Sequence, residues 1–385
     1  MAAMLQGETI IYFGPEPWDG LWRNRHQLMS RLAAQNDVWY VEPPVNLRHL
    51  FSGRTRTRTR LFSRDATGVR IFHSPWWLPL TGRAPFKNIS IRIFLTVLSL
   101  VARTSKRRRP IAWLSRPNML DYIDKLHAKL TVYHVVDEYS GYGKPSEKPG
   151  NKHKGTEEEM LRKADAVIVV TPTLFDLKSP HNPNTHLVPN AVDYESYTNC
   201  DLKVPDDMAG IQHPIIGYSG LVAARLDLAL LQTAAESRPD WNFVFVGTVT
   251  DTDCEAEMAK LGELTNVHML GQKPVGDVPQ YVHNFDVCVI PYVLNLRAQH
   301  ASPLKLYEYA AASRPIVSSD FAASRAFPGK VSIAGDSGEF IAACERSLAL
   351  DSSAPEIIEN SRFAAENTWD RRVLQVSDIL RDPPA

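Results

Sequence analysis

The 385 residues are too many for one ordinary hydrophobic core, and 44% hydrophobic with 22% charged residues is the composition of a folded chain, not of a disordered or collagen-like one. Four cysteines, Cys200, Cys254, Cys288 and Cys344, form no CxxC pair and have no histidines at zinc spacing, which argues against a disulfide scaffold and a structural zinc site. The formal net charge of zero hides a division, because residues 1–197 hold 28 Lys+Arg against 18 Asp+Glu while the remainder holds 15 against 25.

Two domains facing different partners are therefore expected, the basic one meeting something anionic. The chain enters a strand-like run, ETIIYFG (8–14), without a basic region, a long apolar core and a small-residue cleavage site, so a cytoplasmic protein is expected. An amphipathic helix, WRNRHQLMSRLAA, follows, and then the strand DVWYVEP (37–43). VRIFHSP (69–75), PIAWLS (110–115), LTVYHVVD (130–137), ADAVIVVT (164–171) and THLVPNAVD (185–193) continue the series. Apolar runs without alternation fit strands covered on both faces, as in parallel α/β sheets. Within residues 83–109 an apolar stretch, IFLTVLSLVA, runs into Lys106, Arg107, Arg108 and Arg109. It is about half the ~20 residues a span needs, so it reads either as a surface segment on anionic lipid or as a core helix beside a solvated charge run. Arg54, Arg56, Arg58 and Arg60 add a second cationic strip, read as a loop, and no nucleic-acid module is visible.

Residues 193–214 lack periodicity and are rich in Pro, Asp, Asn and Gly, the composition of a linker. A second series then begins: PIIGYSG (214–220), WNFVFVG (241–247), NVHMLG (266–271), FDVCVIPY (285–292), RPIVSSD (314–320) and, as an edge strand, KVSIAG (330–335). The expected fold class is α/β with two Rossmann-like domains: residues 1–197 plus a C-terminal helix in 366–385, and residues 210–365. Such a pair would place a ligand cleft at the carboxyl ends of its parallel strands.

The most informative segment is IPYVLNLRAQHASPLKLYEYAAASRPIVSSD (290–320). Ser302 followed by Pro303 reads as a helix N-cap and first-turn pair, since proline lacks an N–H that would be orphaned there. The free amides of that turn, from Leu304 onward, suit a diphosphate, and Lys305 adds a full positive charge. Glu308 shares a face with Lys305 and is placed to accept hydrogen bonds from a ribose diol. The alternative is a capped amphipathic helix with an i, i+3 ion pair.

SPLKLYEYAAASRPIV, with VVDEYSGY (135–142), HLVPNAVD, IIGYSGLVAARLDLALL, the stretch from NVHMLGQKPVGDVPQ to CVIPY, and NTWDRRVLQV, resembles the GT-B glycosyltransferases, close to family 4 and its relatives in bacterial surface-polysaccharide synthesis. The resemblance implies GT-B architecture, with a C-terminal helix crossing back to the first domain, anchored by Trp369. It also implies metal-independent transfer from a nucleoside-diphosphate sugar, UDP- or GDP-linked, to a saccharide or lipid-linked acceptor, with no cofactor. Glu308 would bind the ribose, Gly220, Arg225, Ser302, Pro303, Leu304 and Lys305 the diphosphate, and the loop around Val275 the base. Two departures stand out: His300 takes the place of the first of two family glutamates, and Leu221 replaces an arginine that often follows the glycine. The missing glutamate keeps a non-catalytic binding partner in view, and a UDP-sugar epimerase is the enzymatic alternative.

In the first half, Gly14, Trp18, Asp19 and Gly20 form the loop that would face an acceptor, Trp18 and Asp19 contacting a sugar; the other reading is a strand-to-helix turn capped by Asp19. Asp137, at the end of a buried strand, is the catalytic candidate, with Glu138 as its substitute and His134 facing the core. Asp251-Thr252-Asp253 has the DxD pattern of a divalent-cation site but also reads as a helix-capping segment, and no metal is expected.

Overall fold

The structure, a computed structural model, describes residues 3–43, 60–74, 89, 91–98, 109–138, 151–250, 254–327 and 331–381. The chain divides into two compact units, Met1–Pro189 with Asp370–Ala385, and Asn190–Trp369. Residues 190–197 and 366–369 thus fold with the second unit and not with the first. The reason is a short pairing of two chain segments: the Val192 amide donates to the Asn367 carbonyl and the Trp369 amide to the Val192 carbonyl, each at 3.1 Å.

Among the described residues the first unit contains one sheet in the order β3-β4-β2-β1-β5-β6-β7-β8. The strands are β1 Thr9–Phe13, β2 Asp37–Val41, β3 Phe62–Arg64, β4 Arg70–Phe72, β5 Ile111–Leu114, β6 Leu130–Val135, β7 Ala166–Val169 and β8 Thr185–Leu187. Every pairing is parallel except that of β3 with β4. The antiparallel β3 is a strand the hydrophobic pattern did not show, because all three of its residues are exposed. One face of the sheet packs Ile11, Phe13, Trp39, Val41, Leu114, Tyr133 and Val135 into a core.

Residues 91–98 are helical, and Ile91, Phe94, Leu95 and Leu98 join that core, spaced as one helix face. The Phe94 ring meets Phe72 at 5.3 Å and Tyr122 at 6.3 Å. For the described part of the apolar stretch this corrects the surface-segment reading: the face formed by Ile91, Phe94, Leu95 and Leu98 is already used inside the protein. Lys106–Arg108, Arg54, Arg56 and Arg58 lie outside the described residues. No described helix is long and apolar enough to cross a membrane.

The second unit holds an all-parallel sheet in the order β11-β10-β9-β12-β13-β14. Its strands are β9 Ile215–Ser219, β10 Asn242–Val246, β11 Val267–Gly271, β12 Val287–Ile290, β13 Ile316–Ser319 and β14 Ser332–Ala334, an edge strand. Helices such as Leu228–Ser237 and Ser337–Leu348 alternate with the strands, and Tyr218, Phe243, Phe245, Phe285 and Tyr309 fill the core. All four cysteines lie in this unit as free thiols, three of them buried. In both sheets the strand order runs away from one strand in both directions, from β1 and from β9. The crevices between β1 and β5 and between β9 and β12 are therefore topological switch points, where open parallel sheets bind ligands.

The C-terminal helix Trp369–Arg381 returns to the first unit. There the Leu5 amide donates to Ser377 Oγ at 3.0 Å and Arg31 Nε to Asp370 at 3.0 Å, while Arg372 Nε donates to the Pro189 carbonyl at 2.9 Å. Trp369, at the head of this helix, is buried.

His134, on β6, is buried with its Nδ1 lacking a hydrogen-bond partner among the described residues, and burial pushes its pKa from 6.5 down to about 4. The folded state holds this ring neutral while the unfolded chain protonates it. Stability is thus complete above pH 6.5 and falls as pH drops toward about 4, by about 3 kcal/mol. Thermal denaturation followed from neutral pH to acid should show this loss, and His134→Leu should remove part of its steepness, because buried His26 is likewise pushed down to about 4 and titrates in the same range.

Candidate functional site

The described polar groups best arranged for a ligand in the second unit converge on its switch point. β9 runs directly into Gly220, whose φ of +129° is a conformation that side chains rarely adopt. A Cβ at this position would lie 2.4 Å from Lys305 Nζ. Gly247, at the end of the neighbouring β10, has φ +153°, and a Cβ there would meet the Gly220 carbonyl oxygen at 1.9 Å. The two strand ends are bare backbone because a cation and a carbonyl occupy the space of their side chains.

Lys305 sits in the first turn of the helix Leu304–Ala311, with its Nζ 4.8 Å from the centre of the Tyr218 ring. Arg225 donates to the Tyr292 phenol just beyond β12, and its carbonyl accepts from the Val293 amide at 2.9 Å. Burial alone would raise the Tyr292 pKa, but Lys305 and Arg225 outweigh it and hold the phenol below its ordinary value. Burial raises Tyr218, beside it, well above. Two cations thus flank a glycine turn at the carboxyl end of β9, a suitable arrangement for a dianionic group.

The helix cap differs from the expected one. Pro303, not Ser302, is the N-cap residue, no side chain caps the turn, and the first helical residue is Leu304. The Ser302 carbonyl instead accepts from Asn190 Nδ2 at 2.7 Å, which fixes the approach to the helix. Leaving the N-terminal amides without a side-chain cap favours an anion at this end. Glu308, one turn on, is partly buried, and its carboxylate makes no hydrogen bond or ion pair with a described residue, so the i, i+3 ion pair of the alternative reading is not formed. Burial pushes its pKa up and Lys305 opposes the shift.

Val275 is exposed in the loop after β11, where Lys273 pairs with Asp207 and Asp207 accepts from Tyr281 at 2.8 Å. His300 follows the short helix Leu296–Gln299 and is partly buried. Asp251–Asp253 lie outside the described residues, and no group of three metal-ligating side chains occurs among those described.

In the first unit, Asp137 lies two residues past the end of β6 and is partly exposed. Glu138 is not an open substitute for it. Its carboxylate is buried 2.8 Å from Lys178 Nζ, which also reaches Glu157 at 3.1 Å. This buried cluster fastens the start of the Asp137 loop to the helices Asn151–Lys163 and Pro172–Lys178.

Gly14 is packed against Tyr40, whose hydroxyl a Cβ would meet at 2.0 Å. Trp18 corrects the reading of an open sugar platform: it is 4% exposed, its ring lies 4.5 Å from His26, and its Nε1 donates to Asp65 at 3.0 Å. Asp19 and Gly20 are exposed, and Asp19 is not a cap, because the helix Asn24–Ala33 begins after Arg23. Sequence reasoning missed Tyr218, Tyr292 and Gly247. Only Gly247 carried a signal, a glycine ending WNFVFVG as Gly220 ends PIIGYSG.

Residues 214–349 match the family described as "Glycosyl transferases group 1". A Bacillus subtilis (strain 168) protein whose name assigns it to teichuronic acid biosynthesis, the glycosyltransferase TuaH, is 29% identical over 241 residues, 59% of this chain and 60% of that protein. The match therefore spans less than two thirds of that relative. Among solved structures, sucrose-phosphate synthase from Thermosynechococcus elongatus superposes with TM-score 0.73 at 17% identity, over 97% of this chain and 98% of the other. Anabaena HepE in complex with UDP and glucose gives 0.71 at 11%, over 97% and 99%. The fold is the GT-B fold of glycosyltransferases. Residues 214–349, the part of the chain that matches the glycosyl transferases group 1 family, carry the Gly220, Arg225, Lys305 and Glu308 cluster.

Gly220→Ala should strain the turn and drive Lys305 off its place. We expect UDP affinity to fall roughly tenfold, the worth of one charge-assisted hydrogen bond, while the fold survives. Titration calorimetry with circular dichroism checks both.

Proposed function

We propose that the chain transfers a sugar from a nucleoside-diphosphate sugar to a saccharide or lipid-linked acceptor in surface polysaccharide or glycoconjugate synthesis. One observation carries this reading: two cations, a glycine turn and an uncapped helix end meet at one switch point, with a carboxylate one helical turn further on. Lys305, Arg225 and the amides of Leu304 and Lys305 would neutralise the diphosphate, which is also the leaving group, so the same charges that bind the donor lower the barrier to C1–O cleavage. Glu308 would take the ribose hydroxyls, and exposed Val275 would border the base. His300, where related enzymes have glutamate, would face the sugar. The complex of HepE with UDP and glucose and the name of TuaH support a uridine nucleotide and a surface polymer.

Asp137 is our candidate for removing the acceptor proton, supported by its place just past a buried strand. The reaction as proposed needs no metal and no cofactor. Cytoplasmic placement with peripheral attachment to anionic lipid is part of the same proposal, resting on the basic first unit and on charge alone, since the apolar face of residues 91–98 is buried.

Lys305→Ala and Glu308→Ala should each lower UDP affinity roughly tenfold or more without unfolding the chain, read by titration calorimetry. Unchanged affinity in both would overturn the site. Because Glu308 is pushed above its ordinary 4.5, it protonates early in acid and loses its charge and part of its acceptor capacity; donor affinity should weaken as pH is lowered toward that value, and Glu308→Gln should flatten the dependence.

Asp137→Asn should abolish transfer in a radiolabelled-sugar assay while leaving UDP binding intact. EDTA should leave turnover in place; a strict Mn²⁺ requirement would reopen the Asp251–Asp253 reading.

A further inference from the structure

The switch point of the first unit is also charged. Ser115 Oγ donates to the Phe13 carbonyl at 2.9 Å and ties the carboxyl ends of β5 and β1 together. Around this junction stand Arg116, directly after Ser115, and Arg23 and Arg25, at the start of the helix Asn24–Ala33. All three act on one carboxylate, Glu16, in the loop after β1: Arg25 lies 3.0 Å and Arg23 3.7 Å from it. Burial would raise the Glu16 pKa, but Arg23, Arg25 and Arg116 together hold it below its ordinary value. The neighbouring carboxylate, Glu42, is turned away, accepting from the Trp18 amide at 3.1 Å and bound to His73 Nδ1 at 2.8 Å.

Arg25 is the telling member. It is 4% exposed, and its Nε is buried with no hydrogen-bond partner among the described residues. A guanidinium is costly to bury with a donor unsatisfied. The helix it begins has no acidic residue in its first turn to offset the charge. Glu16 and Arg23 keep about 40% of their side chains exposed, so the cluster opens to solvent.

We propose that this crevice is an anion subsite, in which Arg23, Arg25 and Arg116 hold a phosphate or carboxylate group carried by the acceptor, and Glu16 occupies the place of that group when it is absent. The assignment to the acceptor rests on the transferase reading above; the anion site itself rests on the arginines. It makes the substrate class narrower than a neutral saccharide.

The test is calorimetric titration of the full chain, with UDP present throughout, using inorganic phosphate, glucuronate and uncharged glucose. We expect at least one anion to bind and glucose not to; phosphate alone identifies a phosphorylated acceptor, glucuronate alone a carboxylated one. Arg116→Gln and Arg23→Gln should each weaken anion binding roughly tenfold with UDP affinity unchanged. Glu16→Gln should tighten it by about two- to fivefold, because the competing carboxylate is gone; an arginine cluster that only braces the fold would not respond in that direction. Equal binding of glucose and the anions, no anion binding, or anion affinity unaffected by all three substitutions overturns the proposal. Failure of both UDP and GDP to bind would overturn the donor reading and leave the arginines to be judged by the anion titrations without a nucleotide.

Discussion

The contact between Lys305 and the backbone of Gly220 is the constraint on which the second unit's site depends. A lysine amine can lie against a strand end only if that end has no side chain, and here a Cβ would fall 2.4 Å from the nitrogen. The requirement propagates one strand further, since Gly247 must also be bare to pass the Gly220 carbonyl. Tyr218 then supplies an aromatic face under the amine, and Tyr292 a phenol oxygen for Arg225. The positive charge is therefore placed by packing, before any ligand arrives. Preorganised charge of this kind would lose little to rearrangement on meeting an anion.

Buried charge is handled in two ways at these sites. In the second unit, Glu308 has no partner among the described residues and its carboxyl is pushed up, a state that a ligand with hydroxyl donors would relieve. At the Asp137 loop of the first, Lys178 stands between Glu138 and Glu157, and Tyr133 donates to Glu157 at 3.2 Å, so two carboxylates share one cation. Burial and Glu138 still raise the Glu157 pKa against the pull of Lys178, as expected when two carboxylates share one cation. Such a cluster fixes geometry at little net gain in stability.

Most of the fold was legible because the strands of a doubly covered parallel sheet are continuous apolar runs that end in glycine or a turn. TIIYF, IAWL, AVIV and VCVI are buried at every position. What failed was where burial and sequence polarity part: FSR of β3 carries no pattern, and a tryptophan in a polar loop looked open although it is core. The site was half legible. Lys305 and Glu308 share a helix and their spacing is visible, whereas Tyr218 and Tyr292 come together only through the adjacency of β9 and β12. The apolar face of residues 91–98 shows the same limit, since periodicity reveals that a face is apolar but not what covers it.

The distribution of sulfur has its own consequence. Every thiol of the chain lies in the second unit, and burial raises the pKa of Cys288 and Cys344 far out of the range in which a thiolate forms. In the native state these two are chemically silent, and they become reactive only when the sheet and helices around them open. Once the partly exposed Cys200 has reacted, alkylation kinetics would time the opening of the second unit alone, with the first contributing no signal, so the chain carries a label for one of its two folding events in its own composition.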